Sequence, residues 1–79
     1  MLYPIPIEVK PIEDFQLLIT FKTGEKRIYD AKPLIKGEWF GQLRDISTFN
    51  TAKIVSKTVE WDGGQDIAPD ELYFASKPV

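Results

Sequence analysis

Phe15-Gln16-Leu17-Leu18-Ile19-Thr20-Phe21, then Lys22-Thr23-Gly24-Glu25, then Lys26-Arg27-Ile28-Tyr29-Asp30 reads as a β-hairpin. In the first arm Phe15, Leu17, Ile19 and Phe21 fall on alternate positions, the period of a strand with one buried face, and β-branched and aromatic types dominate it. The turn decides where the side chains of the return arm go. A two-residue turn needs positive φ at Thr23, which a β-branched residue resists, and sets Ile28 beside Ile19. A three-residue loop with Gly24 in the left-handed bulge position costs less and sends Ile28 to the opposite face.

Upstream, Pro4-Ile5-Pro6-Ile7-Glu8-Val9-Lys10-Pro11-Ile12 alternates Ile5, Ile7 and Val9 against polar or proline neighbours, predicting a strand with those three on a buried face. Its prolines cannot donate to a ladder, which marks it as an edge strand or as one entered and left by irregular chain. Downstream the period changes to short helical turns. Asp30 or Ala31 precedes a turn begun near Pro33, with Leu34 and Ile35 apolar and Gly37 suited to a stop. Trp39-Phe40-Gly41-Gln42-Leu43 is an irregular turn whose Phe40 and Leu43 can face the sheet. Asp45 is placed to cap a short helix with Ile46 and Phe49 inward and Asn50 as a left-handed stop.

The last third returns to strands over residues 52–55 and 58–61, with Ser56-Lys57 a turn or bulge and Val59 and Trp61 on one face. Asp62-Gly63-Gly64 is a turn, since both glycines accept positive φ. Pro69 occupies a first helical position, Asp70 and Glu71 lie where the helix dipole favours acids, and Leu72 and Tyr73 return to the sheet. The expected architecture is α+β: a mainly antiparallel sheet of about four or five strands with short helices packed on one side, in one domain spanning residues 1–79.

Composition bounds the chemistry. With 79 residues the core is small, and with no Cys and no His neither disulfides nor thiolate and imidazole ligands can support it. Five Phe, three Tyr and two Trp are left to do so, each buried ring removing about 150–250 Å² from water. Ten basic residues against twelve acidic give a net charge of −2, and the five acids between Glu60 and Glu71 include no intervening base. Nucleic acid is disfavoured, because phosphate binding needs clustered Lys and Arg. No apolar run approaches the ~20 residues that span a bilayer, and a cytoplasmic protein is expected.

These residues together resemble a known family. The hairpin Phe21-Lys22-Thr23-Gly24-Glu25-Lys26-Arg27, then Tyr29-Asp30 with Pro33-Leu34, Phe40 with Leu43-Arg44-Asp45, Phe49, and a closing Trp61-x-x-Gly64-x-Asp66-Ile67-x-Pro69-x-x-Leu72-Tyr73 look like the small bacterial domain of unknown function 2442. The resemblance covers about residues 7–73, its closing pattern being the most specific part: Trp61, Gly64, Asp66, Pro69, Leu72 and Tyr73 form a structural signature. It implies an α+β fold on an antiparallel sheet. It also implies gene neighbourhoods suggestive of toxin and antitoxin pairs, and, in some relatives, an added helix-turn-helix domain. Only Phe74 to Val79 follow Tyr73, so no such domain is expected in this sequence. Ala68 stands where a Ser or Asp N-cap is expected, costing ~1 kcal/mol of helix stability.

Motif by motif, chemistry is hard to find. Asp62 to Asp66 superficially suggests a calcium loop, but Gly64, Ile67 and Tyr73 occupy positions where an EF-hand needs an acid, a glycine and a glutamate. Asp66 and Asp70 could do acid–base work only across a cleft this core cannot build, and Asp66 reads instead as a cap near Pro69. Ser56-Lys57 and Ser76-Lys77 are neighbours that would point apart on a strand. Gly63-Gly64 lacks the residues of a phosphate loop. Trp61 reads as a core anchor; Trp39, in an irregular segment, reads as exposed, and exposed tryptophan is enriched at binding hot spots.

The expected function is therefore a non-enzymatic protein-interaction or regulatory module, the antitoxin-like member of a two-protein system or a homo-oligomer, with Trp39 and Phe40 binding the partner. Two alternatives stay open. One is a small ligand binder or enzyme using carboxylates with Tyr29 or Tyr73; the other is a weak nucleic-acid binder through Lys22, Lys26, Arg27 and Lys53. No cofactor, metal or membrane partner is expected.

Overall fold

Leu17, Ile19 and Phe21 are fully enclosed, so the alternation of the first hairpin arm does send one face into the core. The computed structural model describes residues 3–79. Its strands are β1 (Pro6–Ile12), β2 (Gln16–Phe21), β3 (Lys26–Asp30), β4 (Lys53–Val55), β5 (Thr58–Glu60) and β6 (Lys77–Pro78). Its α-helices are α1 (Ile46–Phe49) and α2 (Pro69–Phe74), and 3-10 turns cover Lys32–Leu34 and Phe40–Arg44.

β2 and β3 pair antiparallel with Thr20 opposite Lys26, Leu18 opposite Ile28 and Leu17 opposite Tyr29. Gly24 N–H donates to Phe21 O at 2.8 Å, Phe21 N–H donates to Glu25 O at 2.9 Å, and Gly24 has φ +91°. This is the three-residue loop with a left-handed glycine, and its register gives the buried position to Tyr29 instead of Ile28. β1 takes the edge beside β2, the first of the two arrangements its prolines allow. The ladder skips one residue between Pro6 and Glu8, a bulge that puts Pro6 into the core and leaves Ile7 58% exposed. Ile7 was expected inward with Ile5 and Val9; a bulge reverses the facing of the residue it inserts. Phe15, expected within the strand, lies before β2 at φ +55°. Ile12 pairs with Gln16, so Glu13-Asp14-Phe15 closes that hairpin, and the Phe15 ring still reaches the core edge-on to Phe49 at 5.3 Å.

The sheet order is β1-β2-β3-β6, all pairs antiparallel, while β4 and β5 form a separate two-stranded sheet. The four-stranded antiparallel sheet with its short helices is the expected α+β architecture, and the two-stranded sheet stands beside it. β5 cannot join the larger one because both its edges are taken. β4 pairs on one side; on the other, Ile67 N–H donates to Val59 O at 3.1 Å and Glu60 bridges Asp66. Ser56 and Lys57 are the two residues of the β4–β5 turn, with φ +50° and +69°, and so lie on no strand. The sixth strand, where Arg27 meets Pro78, carries no alternation to announce it.

α1 is capped as read: Asp45 Oδ1 accepts from the Ser47 N–H at 3.0 Å and the Ser47 hydroxyl at 2.7 Å. These bonds hold the Asp45 carboxyl below its ordinary range. Two expectations fail there. Ile46 is 57% exposed, because one turn of helix offers one core position and Phe49, between Phe15 and Trp61, fills it. Asn50 is right-handed at φ −73°; the Thr51 hydroxyl donates to Thr48 O at 2.7 Å and so supplies a partner that a left-handed cap is not needed for. Neither helix is long enough to persist alone. Burial of Phe49 and Leu72, about 2–3 kcal/mol each, docks them on the inner face of the main sheet.

Candidate functional site

The residues 61–65 repeat the hairpin loop of residues 21–25 bond for bond. Gly64 N–H donates to Trp61 O at 2.9 Å, Trp61 N–H donates to Gln65 O at 2.8 Å, and Gly64 has φ +91°. Each loop starts from a buried aromatic ring, Phe21 or Trp61. Both glycines can accept positive φ, and Gly64 alone of the two uses it. Gly63 is needed for space: a Cβ there would stand 2.5 Å from Gln65 Oε1.

Gln65 joins this loop to Trp39. Its side chain is fully buried, and Nε2 donates to Trp39 O at 2.7 Å and to Gln42 Oε1 at 3.2 Å. Trp39 Nε1 in turn donates to Gly63 O at 3.1 Å, and Phe40 meets the indole edge-on at 5.3 Å. Trp39 is 51% exposed with its one polar atom satisfied from within, while Phe40 is half-buried against the core. The expected partner-binding pair and the 61–73 signature are thus one construction. Gln65 and Gln42, which hold it, were not singled out from sequence, because nothing local marks Gln65 as buried or Gln42 as its partner.

The rest of the signature is architectural. Trp61 is enclosed and donates from Nε1 to Phe49 O at 2.9 Å; Pro69 begins α2; Leu72 is enclosed and Tyr73 half-buried. Asp66 does not cap. It is exposed, no side chain caps α2 at Ala68, and the Glu60 bridge holds its backbone in extended pairing instead. Among the described residues no group of three or more carboxylates converges to hold a metal ion.

A second polar cluster joins the segment after α2 to the β2–β3 hairpin. Arg27 donates from Nε to Ser76 Oγ at 2.8 Å, from Nη2 to Ser76 O, and from Nη1 to Glu25 Oε2 at 2.8 Å. Its guanidinium lies 4.4 Å from the centre of the Tyr73 ring, a cation–π contact. The Tyr73 hydroxyl donates to the other Glu25 oxygen at 2.9 Å. The bond from Arg27, then that from Tyr73, holds the Glu25 carboxyl below its ordinary range; the Glu25 bond pushes the Tyr73 hydroxyl up. Tyr29 is buried beside Glu71, and burial first, then that carboxylate, pushes it up to about 12. These residues use their polar atoms on one another, clamping α2 and β6 onto the β2–β3 hairpin.

The four basic candidates are divided. Arg27 is in the clamp, Lys53 pairs with Asp62 at 3.0 Å in the smaller sheet, and Lys26 donates to Thr20 Oγ1 at 3.2 Å near Lys22 at the hairpin tip. Among the described residues no helix is long and apolar enough to cross a membrane.

No curated protein and no solved structure matches the chain. One family does, described as Protein of unknown function (DUF2442), and the match runs over residues 6–78. It takes in both glycine loops, the Trp39 seat and the Arg27 clamp, and by this match the chain belongs to the DUF2442 family.

Proposed function

We propose that the domain is a non-enzymatic protein-interaction or regulatory module that engages its partner through Trp39, with the antitoxin-like member of a two-protein system as the specific form of that role. The observation that carries the reading is the seat of Trp39. A half-exposed indole whose N–H is already bonded to Gly63 O, and whose backbone is held by buried Gln65, can bind without first being ordered, which lowers the entropy lost on association. The polar groups that catalysis could draw on are meanwhile used internally, Tyr73 by Glu25 and Arg27 by Ser76 and Glu25.

The test is capture of the protein encoded beside it, using the full chain as bait. Wild type is expected to recover that protein, and Trp39→Ala to weaken capture by ~30-fold, as for a tryptophan hot spot, while circular dichroism remains that of the folded domain. Trp39→Phe should keep part of the affinity. A monomeric chain that captures nothing, or capture indifferent to Trp39, overturns the reading.

A further inference from the structure

The main sheet has an outer face that no helix of the described chain covers. The register sets Lys10 beside Leu18, Leu18 beside Ile28 and Ile28 beside Lys77, one transverse row across all four strands. Residues directly opposite on neighbouring strands share a face. Leu17, Ile19 and Tyr29 fill the inner one, so this row points outward, with half-buried Leu18 and Ile28 between two lysines. Glu8, Thr20 and Lys26 make the next row toward the hairpin tip; Ile12, Gln16 and Asp30 make the row on the other side.

The charge on this face is lopsided. Asp30 shares Lys32 with Asp14, each at 3.0 Å, whereas Lys10, Lys26 and Lys77 are in no ion pair among the described residues, so the face carries three lysines against Glu8 and Asp30. In a chain of net charge −2, that is a local reversal of sign around an aliphatic centre. A groove of about 290 Å³ opens there, lined by Gln16, Ile28, Asp30, Ala75, Lys77 and Pro78. It lies where the pairing of β6 with β3 stops at Ile28 and Lys77, short of Asp30. Pockets for whole ligands run roughly 300–1,000 Å³, so this groove suits a single large side chain.

We propose that the outer sheet face receives a peptide segment of a partner protein, one large apolar side chain entering the groove beside Ile28 and flanking carboxylates meeting Lys10, Lys26 and Lys77. A nucleic acid fits less well. The three rows hold no aromatic ring on which a base could stack, and Leu18 and Ile28 offer nothing to a phosphate. A second copy also fits less well, since a two-fold face-to-face stack sets the lysine ends of the central row against lysines. The inference rests on the reading of the domain as a protein-binding module, and adds a surface on the other side of the sheet from the layer that carries Trp39.

The experiment is an amide NMR titration of the full chain with a short synthetic peptide bearing a central leucine flanked by glutamates. Saturable shifts centred on Leu18, Ile28 and Lys77 are expected, with affinity reduced ~10-fold by Lys10→Glu with Lys77→Glu, exposed changes that leave the core intact. Leu18→Ser should weaken binding on a face that needs no repacking. The proposal is overturned by absence of saturable shifts, or by equal shifts from a glutamate peptide lacking the leucine. Tighter binding of a DNA oligonucleotide, or self-association without peptide, overturns it equally. If it fails while capture of the neighbouring gene product still depends on Trp39, the module reading stands and only this surface falls.

Discussion

The carboxamide of Gln65 occupies the space a side chain on Gly63 would need: a Cβ there would meet Oε1 at 2.5 Å and Nε2 at 3.0 Å. The adjacent glycine has the opposite problem, since a Cβ on Gly64 would meet only Trp39 Cζ2 at 3.6 Å but would stand on a backbone at φ +91°. One glycine is required by a neighbour and the other by its own backbone.

Those causes separate by mutation. Gly63→Ala should destabilise by ~1–3 kcal/mol through overpacking, and most of that loss should vanish in a Gln65→Ala background. Gly64→Ala should cost ~1–2 kcal/mol whatever stands at position 65, and Gly64→Asn should cost less, since asparagine tolerates the left-handed region. Urea denaturation of the double-mutant cycle checks this; equal coupling of both glycines to Gln65 would refute the distinction.

The β4–β5 turn holds two non-glycine residues at positive φ, Ser56 at +50° and Lys57 at +69°, each strained by ~1 kcal/mol or more. Replacing them with the pair that such a turn prefers, Ser56→Asn with Lys57→Gly, should stabilise the domain by ~1 kcal/mol and raise Tm by ~4–8 °C. Differential scanning calorimetry provides the measurement.

Arg27 ties the chain end to the hairpin with bonds that need a planar fork. Arg27→Gln should cost ~2–3 kcal/mol, because Glu25 and Ser76 lose a charged donor, and Arg27→Lys should recover little of it. Hydrogen exchange should show the loss first at the amides of Ala75 and Ser76, whose bonds close the end of α2; uniform loss of protection would argue against a local clamp.

Three groups of the clamp region set the pH limits, one at the acid end and two at the alkaline end. Glu25 has a folded pKa below its unfolded one, through Arg27 first and Tyr73 second, so its contribution is full above ~4.3 and is lost as pH falls through the folded value. Glu25→Gln should flatten the acid limb of stability against pH. Tyr29, raised to about 12 by burial and then Glu71, contributes fully below ~10, and this is lost as pH rises toward the folded value; Tyr73, raised by its bond to Glu25, acts in the same direction. Tyr29→Phe should reduce the alkaline decline, read by urea midpoints against pH.

Local patterning determined a good deal here by itself. Period-two alternation marked β2, backbone preference at Thr23 and Gly24 favoured the three-residue loop over the two-residue turn without excluding it, prolines made an edge one of two places for β1, and Asp45 and Pro69 started the helices. Each rests on residues within a few positions of one another, where φ preferences and side-chain spacing act directly. Tertiary structure alone decided the rest. The bulge that turns out Ile7 is a mismatch between two strands, and the division into two sheets follows from both edges of β5 being used. The seat of Trp39 on Gln65 and the clamp of Arg27 on Ser76 join residues 26 and 49 positions apart. Such bonds form only where packing brings a donor and an acceptor to about 3 Å and removes water from between them, and no periodicity along the chain records that.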